Sequence, residues 1–333
     1  MDAPLIAVLA VIFIALAFDY TNGFHDAANA IATSVSTRAL TPGVALLMAA
    51  IGNFIGAHFG EKVAKTVGSG LVNLPTGSAS LSVVFAGVLG AIVWNLITWY
   101  FGLPSSSSHA LIGGLVGSTL AASGTVLWTK VIDSVVLPMV LSPLVGFALG
   151  FVVMKLIQVI FRNGHPSRLN RGFRAAQTVS AAAMSVGHGM QDAAKTIGII
   201  VLALYVGGHQ GSSDVIPEWA FWTSATVLAL GTYAGGWRII RTLGRRIIHL
   251  GPPEGFAAET VASGVLYFNA LVLGAPISTT HTITSAIMGV GATKKLSAVR
   301  WGVAGNIVAA WVLTFPAAGA MAALAYYAVR PAF

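Results

Sequence analysis

The chain has 333 residues, of which 56% are hydrophobic and only 8% are charged, and its mean hydropathy is +0.82. Because an average soluble domain carries about 25% charged residues, this composition excludes a soluble enzyme and predicts a polytopic membrane protein. The absence of cysteine excludes disulfides, thiol catalysis and thiolate metal sites. The net charge of +8 does not indicate nucleic-acid binding, since bases of multi-span proteins collect in cytoplasmic loops.

Apolar stretches that could cross or enter a membrane follow one another along the whole chain. A membrane helix needs about 20 apolar residues, and several of the stretches are shorter than that. The candidate segments are 3–18, 24–37, 43–60, 80–101, 108–127, 131–160, 175–186, 190–207, 218–236, 257–273, 281–291 and 299–328. The first stretch has no cationic region before it, which predicts an uncleaved membrane segment and not a signal peptide.

The short segments occur in pairs, and a polar or glycine-containing interruption separates the members of each pair. The four interruptions are 19–23, 102–109, 187–189 and 274–281. Non-helical backbone at membrane depth is tolerated only where it faces protein or a water-filled cavity. The sequence therefore predicts four helix breaks around one internal site.

These interruptions repeat in the same order. Gly23–Ile31 aligns with Gly189–Ile197, and Gly102–His109 aligns with Gly274–His281. The alignment divides the chain into a first membrane repeat (1–161), a basic cytoplasmic linker (162–174) and a second membrane repeat (175–333). Paired broken segments at matching places in two halves are typical of a secondary transporter.

The distribution of bases predicts the orientation. Three basic groups lie in 162–174, 238–246 and 294–300, whereas the loop 208–217 has no Lys or Arg. With the basic groups in the cytoplasm, each half makes three net crossings, so the halves are inverted and both termini are extracytoplasmic. The predicted fold is an all-α polytopic cell-membrane protein with two inverted-topology repeats, broken or re-entrant helices and about 10–12 membrane segments. Charge parity leaves open whether the pairs 80–122 and 257–291 re-enter or span fully.

Two carboxylates in apolar surroundings, Asp26 and Asp192, occupy equivalent positions in the two halves. A charge at the bilayer centre costs about 2.5 kcal/mol or more, so membrane acids usually mark an ion path or an ion pair. Asn29 lies on the same helical face as Asp26, with Asn22, His25 and Thr33 nearby. This group is predicted to bind a hard cation or a proton. The alternative is that the acids are interfacial or helix-capping groups.

The second half has Lys195 where the first half has Asn29. An ammonium three residues beyond Asp192 would neutralise that acid and take the place of a mobile cation. We therefore expect an Asp192–Lys195 ion pair and a coupling role for Asp26 with His25. The alternative is a lysine whose amino group extends to the membrane interface.

The two hydroxyl-rich interruptions form the predicted anion site. In each, a proline precedes a hydroxyl run and an apolar stretch, which indicates a helix start with free N–H groups that can bind phosphate. The candidate phosphate-binding residues are Ser106, Ser107, Ser108, Ser278, Thr279 and Thr280. The alternative is capping alone. His109 and His281 follow the runs and are expected to pack beside the site.

Other functional classes fit the sequence less well. A hydrolase needs one activated serine, whereas the motifs that contain serine, histidine and aspartate occur twice here. The sequence also contains no zinc-protease motif and no phosphate-binding-loop motif. We predict that the protein is not an enzyme and has no resident cofactor or metal. An anion channel remains an alternative, although matched broken repeats favour alternating access.

At Gly23–Ala30, Gly189–Thr196, Pro104–His109 and Pro276–His281 the sequence resembles the inorganic phosphate transporter family over essentially its whole length. The resemblance implies a dimeric, inverted-repeat symporter that takes up inorganic phosphate with sodium or protons. If the roles of the family's residues are carried over by position, Asp26, Asn29 and Asp192 would bind the cation. The two hydroxyl runs would bind the phosphate. Its expected partners are therefore phosphate, a coupling cation, the lipid bilayer and a second copy of the chain, with no nucleic acid.

Three departures from the family signature bear on the coupling ion. His25 and Gln191 replace asparagines, and Lys195 replaces the second-half asparagine. A lysine in place of an amide argues against a full set of sodium sites, and His25–Asp26 resembles the bacterial low-affinity branch, which implies proton coupling and metal–phosphate substrates. Sodium coupling stays open, as does a sulfate permease of the same fold.

Overall fold

The computed structural model describes residues 4–69 and 71–333, and this part of the chain is almost entirely helical. The helices of the first half are α1 (Leu5–Ser36), α2 (Pro42–Ala57), α3 (Glu61–Ser69), α4 (Ser78–Phe101), α5 (Ser107–Ala121), α6 (Trp128–Val131) and α7 (Leu137–Ile160). Those of the second half are α8 (Pro166–Val206), α9 (Glu218–Ala234), α10 (Trp237–Arg241), α11 (Pro252–Phe268), α12 (Thr279–Ala292) and α13 (Trp301–Val329).

Short irregular elements supplement the helices. Three π-helical turns cover Ile132–Val136, Thr242–Arg246 and Asn269–Leu273, and two 3₁₀ turns cover Leu296–Ala298 and Arg330–Ala332. Two strands that the all-helical prediction did not include, β1 (Val72–Asn73) and β2 (Thr125–Val126), pair antiparallel. They tie the start of α4 to the end of α5.

Six helical stretches are long and apolar enough to cross a membrane. They are α1, α4, the stretch Trp128–Ile160, α8, the stretch Pro252–Leu273 and the stretch Trp301–Ala332. Helices α2 and α3 together form a seventh candidate, bent by 69° at the break between them. The protein is therefore a multi-pass membrane protein.

The two halves repeat the same order of elements with opposite orientation. Helices α1 and α8 run antiparallel at the centre, since Asn22 contacts Asp192 and Thr37 contacts Gln177. Around them α2 packs on α8 as α9 packs on α1, and α5 packs on α13 as α12 packs on α7. The predicted inverted repeats are confirmed.

Each half contains a re-entrant helical hairpin, α4–α5 in the first and α11–α12 in the second. Gly102 and Gly274 end the incoming helical stretches with φ of 65° and 63°, a left-handed conformation that favours glycine. The hairpin tips meet, because the Ser108 hydroxyl donates a hydrogen bond to the carbonyl oxygen of Ile277 at 3.2 Å. Each pair is therefore a helical hairpin whose tip lies inside the molecule, and the two hairpins enter it from opposite ends.

Two of the four predicted helix breaks are wrong. Residues 19–23 lie inside the continuous helix α1, and residues 187–189 lie inside α8, so four predicted segments form two long helices. The glycine there serves close packing: a Cβ on Gly189 would lie 2.3 Å from the carbonyl oxygen of Asn53 on α2. The predicted linker 162–174 is also helical from Pro166 onward.

Bases from four separate segments meet at one end of the bundle, here called the basic end. They line a cavity of about 770 Å³ that includes Arg38, Arg174, Arg245, Lys294 and Arg300. At the opposite end, Val8 of α1 lies against Gly207, and the ring of Phe333 contacts that of Phe85 of α4 in a tilted arrangement.

Candidate functional site

The central helices α1 and α8 carry the two aspartates into the middle of the molecule. Asp26 is 2% exposed and Asp192 is 0% exposed. Because an unpaired charge at this depth is costly, the partners of each acid determine what it can do. The two hairpin tips supply many of these partners.

Asp26 accepts hydrogen bonds from both hairpins. The Ser107 hydroxyl at the start of α5 lies 2.8 Å from one carboxylate oxygen, and the Thr280 hydroxyl of α12 lies 3.5 Å from the other. His25 Nδ1 lies 2.6 Å from the same oxygen that Thr280 contacts. Asp26 therefore joins α1 to the tips of both repeats, and its ordered neighbours are an imidazole and hydroxyl groups.

The residues three positions beyond each aspartate make equivalent contacts to the opposite repeat. Asn29 of α1 donates to the hydroxyls of Thr279 and Thr280 at 3.1 and 2.8 Å. Lys195 of α8 donates to the Ser108 hydroxyl at 2.7 Å. The same position thus holds a neutral amide in one half and an ammonium in the other.

Asp192 is surrounded by donors and cations. Lys195 Nζ lies 2.7 Å from one carboxylate oxygen, while Asn22 Nδ2 and His188 Nε2 lie 3.2 and 3.0 Å from the other. The ion pair predicted from the sequence is present. Lys195 is 0% exposed, so its amino group does not extend to the membrane interface.

The hydroxyl runs form the N-termini of α5 and α12. Ser106 and Ser278 accept hydrogen bonds from the backbone N–H groups of His109 and His281, which makes these two serines N-caps. Ser107, Ser108, Thr279 and Thr280 lie one step further into the helices and are each 1% exposed. Two helix N-termini, each favourable to an anion, therefore converge beside the aspartates.

The positions before the aspartates bind the hairpin tips. His25 Nε2 lies 3.0 Å from the Thr98 hydroxyl of α4, and Ser105 donates to the same hydroxyl at 2.8 Å. In the second half, Gln191 accepts a hydrogen bond from the Ile277 N–H at 3.2 Å. The departures His25 and Gln191 thus lie at equivalent positions, each against the hairpin of its own repeat.

His109 and His281 lie behind the hydroxyl runs. Their rings are 4.8 Å apart, and His281 stacks on Trp311 of α13 at 4.0 Å. Within the described part of the chain, no hydrogen bond joins either ring to a phosphate-site hydroxyl or to an aspartate. Both histidines pack beside the site, as expected.

Sequence reasoning missed two residues of the site. His188 is the counterpart of Asn22 in the repeat, and it bridges Asp192 to Asn53 of α2, whose amide oxygen is 3.1 Å away. Asp19 is 0% exposed, and neither of its carboxylate oxygens has a hydrogen-bond partner among the described residues. Its spacing of seven residues from Asp26, two helical turns on the same face, is the signal that could have found it.

The arrangement can also hold a divalent metal. One ligand atom each of Asp26, His188 and Asp192 lie within 4.8 Å of one another, and all three residues are buried. Carboxylate oxygen and imidazole nitrogen are ligands that many divalent ions accept. The same site therefore offers anion donors and cation ligands side by side.

Comparison with known proteins places this geometry in context. A model of the phosphate transporter family matches residues 22–169 and 162–322, one match in each half. The chain is 49% identical to the "Probable low-affinity inorganic phosphate transporter" of Rhizobium meliloti (strain 1021), covering 98% of both chains. It is 42% identical to the protein of the same name from Bacillus subtilis (strain 168), covering 100% of both.

A solved structure shares the fold. "The sodium-dependent phosphate transporter" superposes with a TM-score of 0.90 at 24% identity, covering 98% of this chain and 100% of that one. At this identity the likeness shows the fold alone.

Proposed function

Because the chain belongs to the phosphate transporter family, we propose that it takes up inorganic phosphate by symport with a cation, and that the cation is a proton. The main support for this proposal is a hydrogen bond that joins the candidate cation site to the candidate phosphate site. Asp26 accepts a hydrogen bond from Ser107 at 2.8 Å, so the candidate cation carboxylate touches the candidate phosphate hydroxyls.

The phosphate binds between the hairpin tips in this proposal. Ser107, Ser108, Thr279 and Thr280 provide hydroxyl donors, and the N-termini of α5 and α12 provide N–H groups. Lys195, already 2.7 Å from Ser108, adds a fixed positive charge. Ser106 and Ser278, which the sequence predicts as phosphate ligands, cap the helices with their hydroxyls, so this proposal assigns them capping and not direct phosphate contact.

Asp26 is the proposed coupling residue. The ammonium of Lys195 neutralises Asp192, whereas no Lys or Arg is among the hydrogen-bond partners of Asp26 in the described chain, and its basic neighbour is the imidazole of His25. Proton uptake by Asp26 or His25 would remove the repulsion between a buried carboxylate and the anion. Asn22 and Asn29 position the acids and the hairpin hydroxyls around them.

Sodium coupling is the second candidate for this step. The side-chain oxygens of Asn22 and Asn29 have no hydrogen-bond partner among the described residues, and together with Asp26 they are oxygen ligands suited to a hard cation. Against sodium, Lys195 replaces an amide at the equivalent second-half position.

The cargo is phosphate or its metal complex. The cluster of Asp26, His188 and Asp192 supports a metal–phosphate substrate, because the metal would lie next to the hydroxyl donors. Asp26 also supports phosphate over sulfate, since only phosphate keeps an O–H that needs an acceptor at neutral pH. The burial of every central side chain favours a carrier over an anion channel.

We place the protein in the cell membrane with its basic end in the cytoplasm and both termini outside. The cavity of basic residues at one end supports this orientation through the positive-inside rule. The division into repeats 1–161 and 175–333 and a homodimeric assembly complete the proposal.

The test is uptake of labelled phosphate by purified protein in liposomes under separately imposed proton and sodium gradients, with sulfate and magnesium as additions. We expect an inward proton gradient to drive uptake without sodium, and sulfate to compete poorly. Uptake that requires a sodium gradient and ignores the pH gradient would refute proton coupling.

A further inference from the structure

Asp19 of α1 is a buried acid to which the proposed transport cycle gives no role. It is 0% exposed, and neither carboxylate oxygen has a hydrogen-bond partner among the described residues. It precedes Asp26 by two helical turns, or about 10 Å along the axis of α1. Because Thr37, directly after α1, lines the basic cavity, Asp19 lies on the side of Asp26 away from the basic end. A carboxylate in this position is costly unless a proton or another cation neutralises it.

The polar and charged groups that interact with Asp19 in the described chain lie on α8. Thr196 is the polar side chain beside it, and the charged groups are Asp192 and Lys195. The Thr196 hydroxyl also lacks a hydrogen-bond partner among the described residues. Of the other helices that pack on this part of α1, α4 has no charged residue or histidine, and α9 has only Glu218 at its exposed start. Two carboxylates therefore depend on one ammonium, which already lies 2.7 Å from Asp192.

The second repeat shows that the fold does not require an acid at this position. The alignment of the two halves pairs Asp19 with Ser185 and Thr196 with Ala30. Ser185 donates to the carbonyl oxygen of Ala181 in its own helix at 2.7 Å, and Ala30 is fully buried. On the basic-end side of the centre, the same place thus holds a satisfied hydroxyl and a methyl group. The acid and its facing hydroxyl are additions to the fold on the other side only.

Apolar side chains separate Asp19 from the end of the bundle opposite the basic end. Val11 and Ala15 of α1 and Ile199 and Ala203 of α8 belong to one buried cluster there. A proton on Asp19 is therefore occluded in this conformation, and it exchanges with solvent only when the helices around it separate. Such occlusion is what a carrier requires of a coupling ion.

Lys195 connects Asp19 to the phosphate site. Its ammonium donates to the hydroxyl of Ser108, a candidate phosphate ligand, at 2.7 Å, and it also interacts electrostatically with Asp19. A phosphate bound at Ser108 adds negative charge beside the ammonium, so less positive charge remains to compensate Asp19. Proton uptake by Asp19 offsets this change, and by linkage each binding event strengthens the other.

We infer that Asp19 is a proton-binding carboxylate of the transporter, separate from Asp26, which is loaded from the side opposite the basic end and carries one proton with each phosphate. The protonated carboxyl group donates to the hydroxyl of Thr196, which satisfies both side chains. The proton passes to water when the site opens toward the basic end and phosphate leaves Lys195. This role rests on the proton symport proposed above and adds a second proton to it.

The first experiment measures how far a pH gradient concentrates phosphate in liposomes. At an inward gradient of about one pH unit without a membrane potential, each coupled proton raises the accumulation ratio about tenfold. We expect Asp19→Asn to lower the ratio about tenfold relative to wild type, because one proton fewer crosses with each phosphate. Asp19→Ser, which copies Ser185 of the second repeat, should lower it equally. Asp214→Asn changes an exposed acid of the loop 208–217 and, as the matched control, should keep the wild-type ratio.

The accumulation ratio separates a coupling residue from a structural one. A structural residue changes the rate of uptake but not the ratio at which net uptake stops, since that ratio depends only on the number of coupled protons. A wild-type ratio in folded Asp19→Asn would overturn the role of Asp19. Absence of proton-driven accumulation in the wild type would instead refute the proposed function, so the two failures are distinguishable.

A second experiment uses the wild-type chain and so does not depend on a variant folding. A hydrophobic carbodiimide modifies protonated carboxyl groups in membrane proteins, and mass spectrometry locates the modified peptide. In the reconstituted transporter we expect labelling of Asp19 that falls as the pH is raised and that persists to higher pH when phosphate is present. Labelling that neither pH nor phosphate changes, or no labelling of Asp19, would contradict the inference.

Discussion

The two repeats place equivalent side chains on equivalent atoms, yet the chemistry differs between them. Asn29 and Lys195 each donate to a hydroxyl of the opposite hairpin, at 2.8 and 2.7 Å. In the first half the result is an aspartate beside a neutral amide, and in the second it is an aspartate paired with an ammonium. The residues that the two repeats share form the place where the hairpin tips meet. The residues that differ between the repeats determine which aspartate is free to exchange a cation.

The largest expected effect comes from replacing Asp26, the aspartate that is not paired with an ammonium. Asp26→Asn removes the proposed exchangeable charge, and a buried membrane charge is worth about 2.5–3.5 kcal/mol, which corresponds to about a hundredfold in driven uptake. The measurement is gradient-driven phosphate uptake in liposomes, with size-exclusion chromatography in detergent as the check on folding. Driven uptake at the wild-type rate would remove Asp26 from the coupling role.

The opposite half should lose stability when its ammonium is removed. Lys195→Ala leaves Asp192 as a buried charge without its ammonium, which costs about 3–5 kcal/mol and should lower the melting temperature in detergent. The matched control, Asp192→Asn with Lys195→Met, removes both charges and should recover most of the loss. If the single and double variants have the same melting temperature, the Asp192–Lys195 ion pair does not stabilise the second half.

The hydroxyls one step inside the helices should affect phosphate affinity. Ser107→Ala and Thr279→Ala each remove a donor to a charged ligand, worth about 1.5–3 kcal/mol. We therefore expect the phosphate concentration for half-maximal uptake to rise by about tenfold or more. A change confined to the amount of folded protein would favour capping over phosphate binding.

The smallest expected effect belongs to the capping serines. Ser106→Ala and Ser278→Ala remove an N-cap, which costs about 1 kcal/mol of stability, and should leave half-maximal phosphate nearly unchanged. Thermal unfolding and uptake kinetics on the same preparations separate the two effects. A larger rise in half-maximal phosphate for Ser106→Ala than for Ser107→Ala would reverse the assignment of the two serines.

Much of the fold could be predicted from the sequence because the repeat is strong. The tips at 102–109 and 274–281 were predictable from a proline, a hydroxyl run and a histidine that occur twice. The breaks expected at 19–23 and 187–189 were wrong, because glycine and polar residues there serve close helix packing and the central site. Sequence alone does not distinguish a glycine that ends a helix from one that lets another helix approach.

The site was predictable where the two halves agree and less so where they differ. Asp26 and Asp192 occupy equivalent positions in the two halves, and so do the two hydroxyl runs. The repeat itself therefore marks these residues as candidates. Asp19 has no acidic counterpart in the other half, so the repeat gives no signal for it. Its interest follows from its burial without a hydrogen-bond partner among the described residues, which only the packing around α1 reveals.

The central claim is that a tetrahedral oxyanion binds where the two hairpin tips meet beside Asp26. Crystals grown with arsenate, a heavier analogue of phosphate, would locate the anion by the anomalous scattering of arsenic. We predict a peak within about 4 Å of the hydroxyl oxygens of both Ser107 and Thr279, the distance that an arsenic atom has from a donor to its oxygens. A peak confined to the basic cavity near Arg38 and Arg174, with none between the tips, would contradict the account.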